Sequence, residues 1–259
     1  MYHAAEPTNI DQGIFNTCNV TTMQEGLFAS RPSVMADMLA QASLTGTYRS
    51  PHDGRVTRLD RNSMMPVPGS EHPNADQGER SYATQLLNHV MVNEISQRRI
   101  PPQFYSQITR TGDRNDNGER LTTGGFTGNE VLFNGRVARQ PVITIADMGA
   151  AMQRYGRPDS VFYNSTATGW EHPSVVTFRN VEEMTRRITE RIASGAPVIM
   201  YIRDVSGLPR GQGGPDTPHV ISITGIRPDG VVSFSNQWGR HGDGSMRIED
   251  LFRISRGRT

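Results

Sequence analysis

The segment DQGIFNTCNVTTMQEGL, residues 11–27, opens the helical part of the fold and contains the only cysteine of the 259-residue chain, Cys18. We predict a helix over residues 17–29, which begins at or next to this cysteine. A thiol at a helix N-terminus lies at the positive end of the helix dipole, which lowers its pKa and raises the fraction of thiolate. The segment therefore favours a nucleophilic thiol. The alternative is a small buried apolar residue, the commonest role of a lone cysteine.

Helices precede strands along the chain. Apolar residues near helical spacing and capping signals predict helices over residues 17–29, 33–43, 80–97, 144–156 and 180–195. Short β-branched runs predict strands in SVVTF (174–178), PVIMYI (197–202), HVISITGI (219–226) and VVSFSN (231–236), and NEVLFNGRVAR (129–139) predicts a hairpin. Thr144 and Asn180 are expected to cap their helices. Helices followed by an antiparallel sheet favour an α+β fold.

A long segment of different composition lies between these two parts. Residues 44–80 are polar and rich in Pro, Gly, Arg and Asp, which predicts a surface excursion. Replacing residues 48–78 by a short linker is therefore expected to spare folding. The amphipathic helix over residues 80–97 is expected to dock on the core through three apolar side chains, Leu86, Leu87 and Val90.

Composition excludes several classes of protein. The formal net charge is +1 with no block of like charge, so nucleic acid is not an expected partner. No run of 18 apolar residues exists, so no membrane span or membrane partner is expected. The start, MYHAAEPTNIDQG, has no signal-peptide features, which indicates a cytoplasmic protein or one secreted by a signal-peptide-independent route. A single cysteine forms neither an internal disulfide nor a cysteine-rich zinc module.

No cofactor or metal site is predicted. Residues 113–118, DRNDNG, begin like a calcium-binding loop. Gly124 stands where such a loop needs a bidentate glutamate, so an Asx-rich turn is the favoured interpretation.

All 27 basic residues of the chain are arginine, and the chain has no lysine. A GC-rich genome that favours arginine codons is one explanation. Selection against surface amines is the other, because such amines accept ubiquitin-like tags and would be modified by an acyl-transferring enzyme.

A thiolate needs a proton-transfer partner, which distant residues supply. His219 begins the strand HVISITGI behind a Gly- and Pro-rich loop, an unusual place for a core histidine. For His89 and His172, a solvated or hydrogen-bonded structural imidazole is favoured over catalysis. Asn236 ends the next strand and is placed to accept the other N–H of the imidazole. Trp238 of the same NQWG sequence is placed to shield that hydrogen bond, although a turn with an aromatic plug would have the same residues.

Together these residues resemble the papain-like cysteine peptidases. In that superfamily a glutamine six residues before the catalytic cysteine contributes to the oxyanion hole, the histidine opens a strand, and an asparagine follows in an Asn-x-Trp-Gly motif. QGIFNTC, HVISITGI and NQWG match these pieces in order. The chain is similar to the bacterial branch that includes bacteriocin-leader peptidases, with Asn236 in place of the aspartate usual there. Residues 10–43 and 144–250 carry the resemblance.

The resemblance implies a papain-like α+β fold. An N-terminal helical lobe would carry the Cys18 helix, and a C-terminal antiparallel sheet lobe would carry the histidine and asparagine. It implies one domain over residues 1–259, in which residues 44–143 form an insertion for substrate recognition. The implied catalytic residues are Cys18, His219, Asn236 and Gln12, supported by Gly13 and Trp238.

The implied activity is that of a cysteine protease with a protein or peptide substrate. Hydrolysis of a peptide bond, deamidation of glutamine and transfer to an amine use the same residues, so deamidase and transglutaminase activities stay open. A catalytically inactive papain-like binding module is the alternative from another class. A secreted bacterial effector or toxin is a context that the missing lysines fit.

Overall fold

The computed structural model describes residues 5–12, 17–61, 64–66, 81–100, 102–107, 129–133, 136–139, 143–157, 161–162, 175–196, 198–208, 218–237 and 242–256. Within these ranges, six α-helices and eleven β-strands form an α+β fold, as the sequence predicts. Two single 3₁₀ turns, Pro7–Asn9 and Val205–Gly207, accompany them. No helix in these ranges is long and apolar enough to cross a membrane.

Two helices form the N-terminal part of the structure. The first, α1 (Cys18–Ser30), begins at the cysteine as predicted, and the second, α2 (Pro32–Thr45), begins at a proline. Proline suits the first turn of a helix because its φ is already helical and its missing N–H would have no partner there. Gly46 ends α2 with a left-handed φ of 66°, which glycine adopts without strain.

A short hairpin corrects the prediction of a surface excursion over residues 44–80. Its strands β1 (Thr47–Arg49) and β2 (Val56–Arg58) pair antiparallel, and each buries its middle residue. Tyr48 of β1 belongs to the hydrophobic core. Replacing residues 48–78 by a linker would remove the Tyr48 ring from the core. This replacement is therefore expected to impair folding and not to spare it. The sequence does not predict this hairpin, because a strand of three residues with one inward side chain is too short to show the two-residue alternation of a strand.

The next helix, α3 (Tyr82–Ser96), is buried on almost every side. Leu86, Leu87 and Val90 pack inward as predicted, but polar residues of the same helix are buried as well. Ser81 caps the helix by accepting a hydrogen bond from Thr84 N. The sequence predicts an amphipathic helix docked at one face, and its polar positions are compatible with burial only because the fold supplies them with partners.

A three-stranded antiparallel sheet follows in the order β3 (Gln103–Gln107), β4 (Asn129–Phe133) and β5 (Arg136–Arg139). Strands β4 and β5 form the hairpin predicted over residues 129–139. Helix α4 (Ile145–Arg154) has the predicted Thr144 cap, and Asp147 completes a capping box. Local capping chemistry therefore sets the start of α4.

The main sheet has six strands in the order β11-β10-β9-β8-β6-β7. Its elements, with the two helices that accompany them, are β6 (Val161–Phe162), β7 (Val175–Val176), α5 (Val181–Ala193), β8 (Val198–Ile202), β9 (His219–Ile226), β10 (Val231–Ser235), β11 (Gly244–Arg247) and α6 (Ile248–Arg256). Strands β8, β9 and β10 are antiparallel, as predicted, and β11, which is not among the predicted strands, pairs antiparallel with β10. Strand β6 is parallel to β7 and β8, which corrects the fully antiparallel sheet, and helix α5 forms the crossover between β7 and β8.

Alternate residues of the central strands serve two hydrophobic cores. Ile199 and Val220 face the core formed with α1 to α4. Met200 and Ile221 face the core formed with α5 and α6. The alternation follows from the two-residue period of a strand. It places α1 directly against β9, the strand that begins with His219.

Candidate active site

The start of α1 lies beside the start of β9. Cys18 is the first residue of the helix and keeps part of its surface accessible to solvent. The backbone N–H groups of Val220, Asn19 and Cys18 itself lie close enough to the sulfur to act on its pKa. The Thr22 hydroxyl lies 2.7 Å from the Cys18 carbonyl oxygen and 3.3 Å from that of Val220. The cysteine is thereby held next to the backbone of the residue that follows His219.

His219 and Asn236 form the second half of the site. Both are buried, and His219 Nε2 lies 2.8 Å from Asn236 Oδ1. Because an amide oxygen only accepts hydrogen bonds, Nε2 carries the hydrogen in this arrangement. The remaining ring nitrogen, Nδ1, is then the one that can take up a proton. In a cysteine–histidine pair this is the nitrogen that would have to take the thiol proton.

Two residues outside the predicted set hold Asn236 in place. Its backbone N–H donates to Asp243 Oδ1 at 2.8 Å. A Cβ at Gly242 would lie 3.2 Å from the Asn236 Cβ, so this close approach needs a glycine. The sequence signal for both is weak, because HGDG, residues 241–244, has the composition of an ordinary turn.

The segment that carries Gln12 reaches the same end of the sheet. Gln12 N donates a hydrogen bond to the Gln237 carbonyl oxygen at 2.9 Å, and the Gln12 side chain is buried. Gln237 directly follows Asn236, so the glutamine segment adjoins the end of β10. Gly13, Trp238 and His172 lie outside the described residues.

His89 lies in the interior of α3, in the core. Its ring stacks at a tilt against Tyr105, with 5.1 Å between the ring centroids. It therefore has a structural environment, which agrees with the interpretation favoured from the sequence.

A buried polar network supports the residue before the cysteine. Asn88 Nδ2 donates to Thr17 Oγ1 at 3.2 Å, and Gln24 Nε2 donates to Asn88 Oδ1 at 2.5 Å. Asn88 belongs to α3, so a helix from the predicted insertion contacts the start of the cysteine helix. The only sequence signal is a polar residue within an apolar helical pattern.

Burial dominates the electrostatics of the site. It raises the pKa of Cys18 to about 11, although hydrogen bonds from the backbone N–H groups of Val220, Asn19 and Cys18 act to lower it. The predicted lowering of the thiol pKa is therefore wrong in the resting protein, because loss of hydration outweighs the helix terminus. Burial also lowers the pKa of His219 to about 4, and the hydrogen bond to Asn236 acts in the opposite direction. The resting site holds a neutral thiol and a neutral imidazole.

This charge state predicts the pH dependence of thiol labelling. Because Cys18 is the only cysteine, the alkylation by iodoacetamide that is lost in Cys18→Ala reports on this thiol alone. Thiolate forms as the pH rises toward the raised pKa of Cys18, so the labelling rate of the substrate-free protein should still increase above about pH 9. Stopped labelling followed by intact-mass measurement gives the rate at each pH. A high rate that stays constant from about pH 5 to 8 would instead indicate a thiolate–imidazolium pair.

The segments of Gln12, Cys18, His219 and Asn236 thus meet at one end of the main sheet. Comparison of the chain with known protein families, with curated proteins and with solved structures finds no match.

Proposed function

We propose that the protein is a cysteine-nucleophile acyl-transfer enzyme that acts on amide bonds, and that its activity is that of a papain-like cysteine protease. The observation that supports this most is the hydrogen bond of 2.8 Å between His219 Nε2 and Asn236 Oδ1. It orients the imidazole at the start of β9, and the next residue of that strand, Val220, has its carbonyl oxygen 3.3 Å from the Thr22 hydroxyl of the cysteine helix. A nucleophile, a base and a residue that orients the base are the elements of a catalytic triad.

The first half of the reaction forms a thioester. His219 Nδ1 takes the thiol proton as Cys18 Sγ attacks the carbonyl carbon of the substrate, and the carbonyl electrons move to oxygen. The backbone N–H of Cys18 and the side-chain amide of Gln12 are the proposed donors to this oxyanion. When the carbon–nitrogen bond breaks, the imidazolium gives its proton to the leaving amine. The acyl group then remains on the sulfur.

The second half restores the thiol. Water attacks the thioester carbon while His219 removes one of its protons, and the carbon–sulfur bond breaks with return of a proton to Cys18. The neutral resting pair means that the proton moves during attack and not before it. Asn236 then stabilises the transient imidazolium by accepting the Nε2 hydrogen.

Three rival functions rest on the same atoms. Deamidation would release ammonia from a glutamine side chain, and transamidation would pass the acyl group to an amine in place of water. A papain-like binding module would keep the fold without turnover. The hydrogen bond that orients the His219 ring favours an enzyme over this last alternative, because binding alone does not require the ring to be oriented by Asn236.

Recognition of a protein or peptide substrate is proposed for residues 44–143. Within that range, Tyr48 of β1, five residues of α3 and Tyr105 of β3 belong to the core, so the proposal applies to the remaining segments. A role as a secreted effector or toxin is the proposed context, which the lysine-free sequence supports.

Mass spectrometry of a proteome incubated with the protein or with Cys18→Ala tests the proposal. A protease should create new peptide N-termini only with the wild type, whereas a deamidase would convert glutamine to glutamate and a transglutaminase would create crosslinks. Identical proteomes after both incubations, over a range of candidate proteomes, would leave the binding module as the better explanation.

A further inference from the structure

Glu25 is a buried carboxylate on the helix that begins with Cys18. It follows the cysteine by seven residues, about two turns of α-helix, so both lie on the same face of α1. Only 3% of its surface is exposed. Its carboxylate accepts hydrogen bonds from the Ser222 hydroxyl, from Ser235 Oγ at 2.5 Å and from Gln237 Nε2 at 2.9 Å.

Two of these partners lie on the strands of the proposed catalytic pair. Ser222 belongs to β9, which begins with His219. Ser235 is the last residue of β10, directly before Asn236. The two serines are also partners across the strands, so Glu25 spans the β9–β10 pair at the point where both strands approach the site.

The third partner, Gln237, links Glu25 to the segment that carries Gln12. The carbonyl oxygen of Gln237 accepts the hydrogen bond from Gln12 N, while its side-chain amide donates to Glu25. Gln237 Oε1 is buried and has no hydrogen-bond partner within the part of the chain that the structure describes. The orientation of this amide therefore depends on Glu25.

A carboxylate at this position is costly. Burial raises the pKa of Glu25 to about 7, the hydrogen bonds from Ser222, Ser235 and Gln237 act to lower it, and the charge of Asp243 raises it further. An apolar side chain would pack a helix on a sheet without this desolvation. Packing alone therefore does not explain the residue, whereas aligned hydrogen bonds to a carboxylate set both distance and direction.

We propose that Glu25 is a positioning residue of the site, whose carboxylate fixes the helix of Cys18 against the two strands that carry His219 and Asn236. The role in turnover rests on the proposed function, but the geometric role does not. A shift of α1 along the sheet by a fraction of an ångström would misalign the sulfur and the imidazole while leaving more distant substrate contacts in place.

Glu25→Gln tests the proposal because it keeps the shape and replaces one acceptor oxygen by a donor. The new amide N–H would either oppose the amide donor of Gln237 or force a serine hydroxyl to turn from donor to acceptor. We expect kcat to fall roughly 10- to 100-fold with KM changed less than about 2-fold. The double variant Glu25→Gln, Gln237→Glu restores one carboxylate opposite one amide and is expected to recover part of the lost kcat. Loss of bulk or of general stability would not be corrected by this exchange.

Glu94→Gln is the matched control. Glu94 is also a buried carboxylate, but its partners Arg98 and Arg154 lie outside the site. This variant is expected to lose stability without a change in kcat per folded molecule. If Glu25→Gln does not fold, Ser235→Ala removes one hydrogen bond to the same carboxylate and should lower kcat in the same direction by a smaller factor.

A readout that needs no substrate separates this proposal from the proposed function. In protein labelled with ¹⁵N-histidine, the Nε2–H signal of His219 reports on its hydrogen bond to Asn236. Glu25→Gln should shift or broaden this signal, and Glu94→Gln should not. An unchanged signal together with a wild-type kcat would overturn the role of Glu25. A shifted signal in a protein without Cys18-dependent turnover would retain the positioning role and refute the proposed enzyme.

Discussion

Replacing Cys18 by alanine is expected to abolish turnover while the protein stays folded. The proposed thioester forms on this sulfur, and the chain has no second cysteine to replace it. Loss of the nucleophile of a triad reduces kcat on the order of 10⁶-fold, which here would mean no detectable product. Although the sulfur is desolvated, the residue keeps part of its surface accessible at the first position of α1, so loss of this one atom should lower the melting temperature only modestly.

Cys18→Ser is the companion variant. A hydroxyl is harder to deprotonate than a thiol, and the burial that lowers the pKa of His219 to about 4 makes the imidazole a weak base for it. The serine variant should therefore also lack detectable turnover. The measurement is product formation with a substrate identified by the proteome comparison, together with circular dichroism of each variant. Wild-type turnover in either variant would place the nucleophile elsewhere in the chain.

Replacing His219 by alanine is expected to cost on the order of 10⁴-fold in kcat. The imidazole is the proposed base for the thiol and the proposed acid for the leaving amine, so both halves of the reaction depend on it. Asn236→Ala removes only the group that orients the ring and should leave measurable turnover. The order of residual activity should therefore be wild type, Asn236→Ala, His219→Ala and Cys18→Ala.

The labelling rate of Cys18 separates catalysis from folding in this series. Each variant except those at Cys18 keeps the thiol, so iodoacetamide and intact-mass measurement show whether the sulfur is still accessible. A folded His219→Ala protein with undiminished turnover would exclude the histidine as the base. Equal and complete loss in Asn236→Ala and His219→Ala, with both proteins folded, would give the asparagine a role beyond orientation.

Local signals allowed much of the fold to be predicted. The Thr144 and Asn180 caps are confirmed, because a capping side chain bonds to backbone only three residues away. The apolar runs of β8, β9 and β10 are confirmed as strands of one sheet. Helix α6 is not among the predicted helices, although Ile248, Leu251 and Ile254 repeat at helical spacing.

Other features depend on contacts between distant segments. The parallel pairing of β6 with β7 and β8 depends on how the chain crosses the sheet, and two-residue strands have no period of their own. Burial of Asn88 within α3 is tolerated because Thr17 and Gln24 supply its partners. A polar residue in a helical pattern does not identify such partners in advance.

The sequence by itself determined that a helix starts at Cys18 and that a strand starts at His219, with Asn236 at the end of the next strand. Each of these follows from interactions within a few residues, which composition and spacing encode directly. Only the tertiary structure decided the pKa of the Cys18 thiol, because the groups that pack around the sulfur, and not its neighbours in the chain, remove its hydration. It alone also decided the place of Glu25, whose partners lie 197 to 212 residues away, because hydrogen bonds over such separations exist only after helix and sheet have packed together.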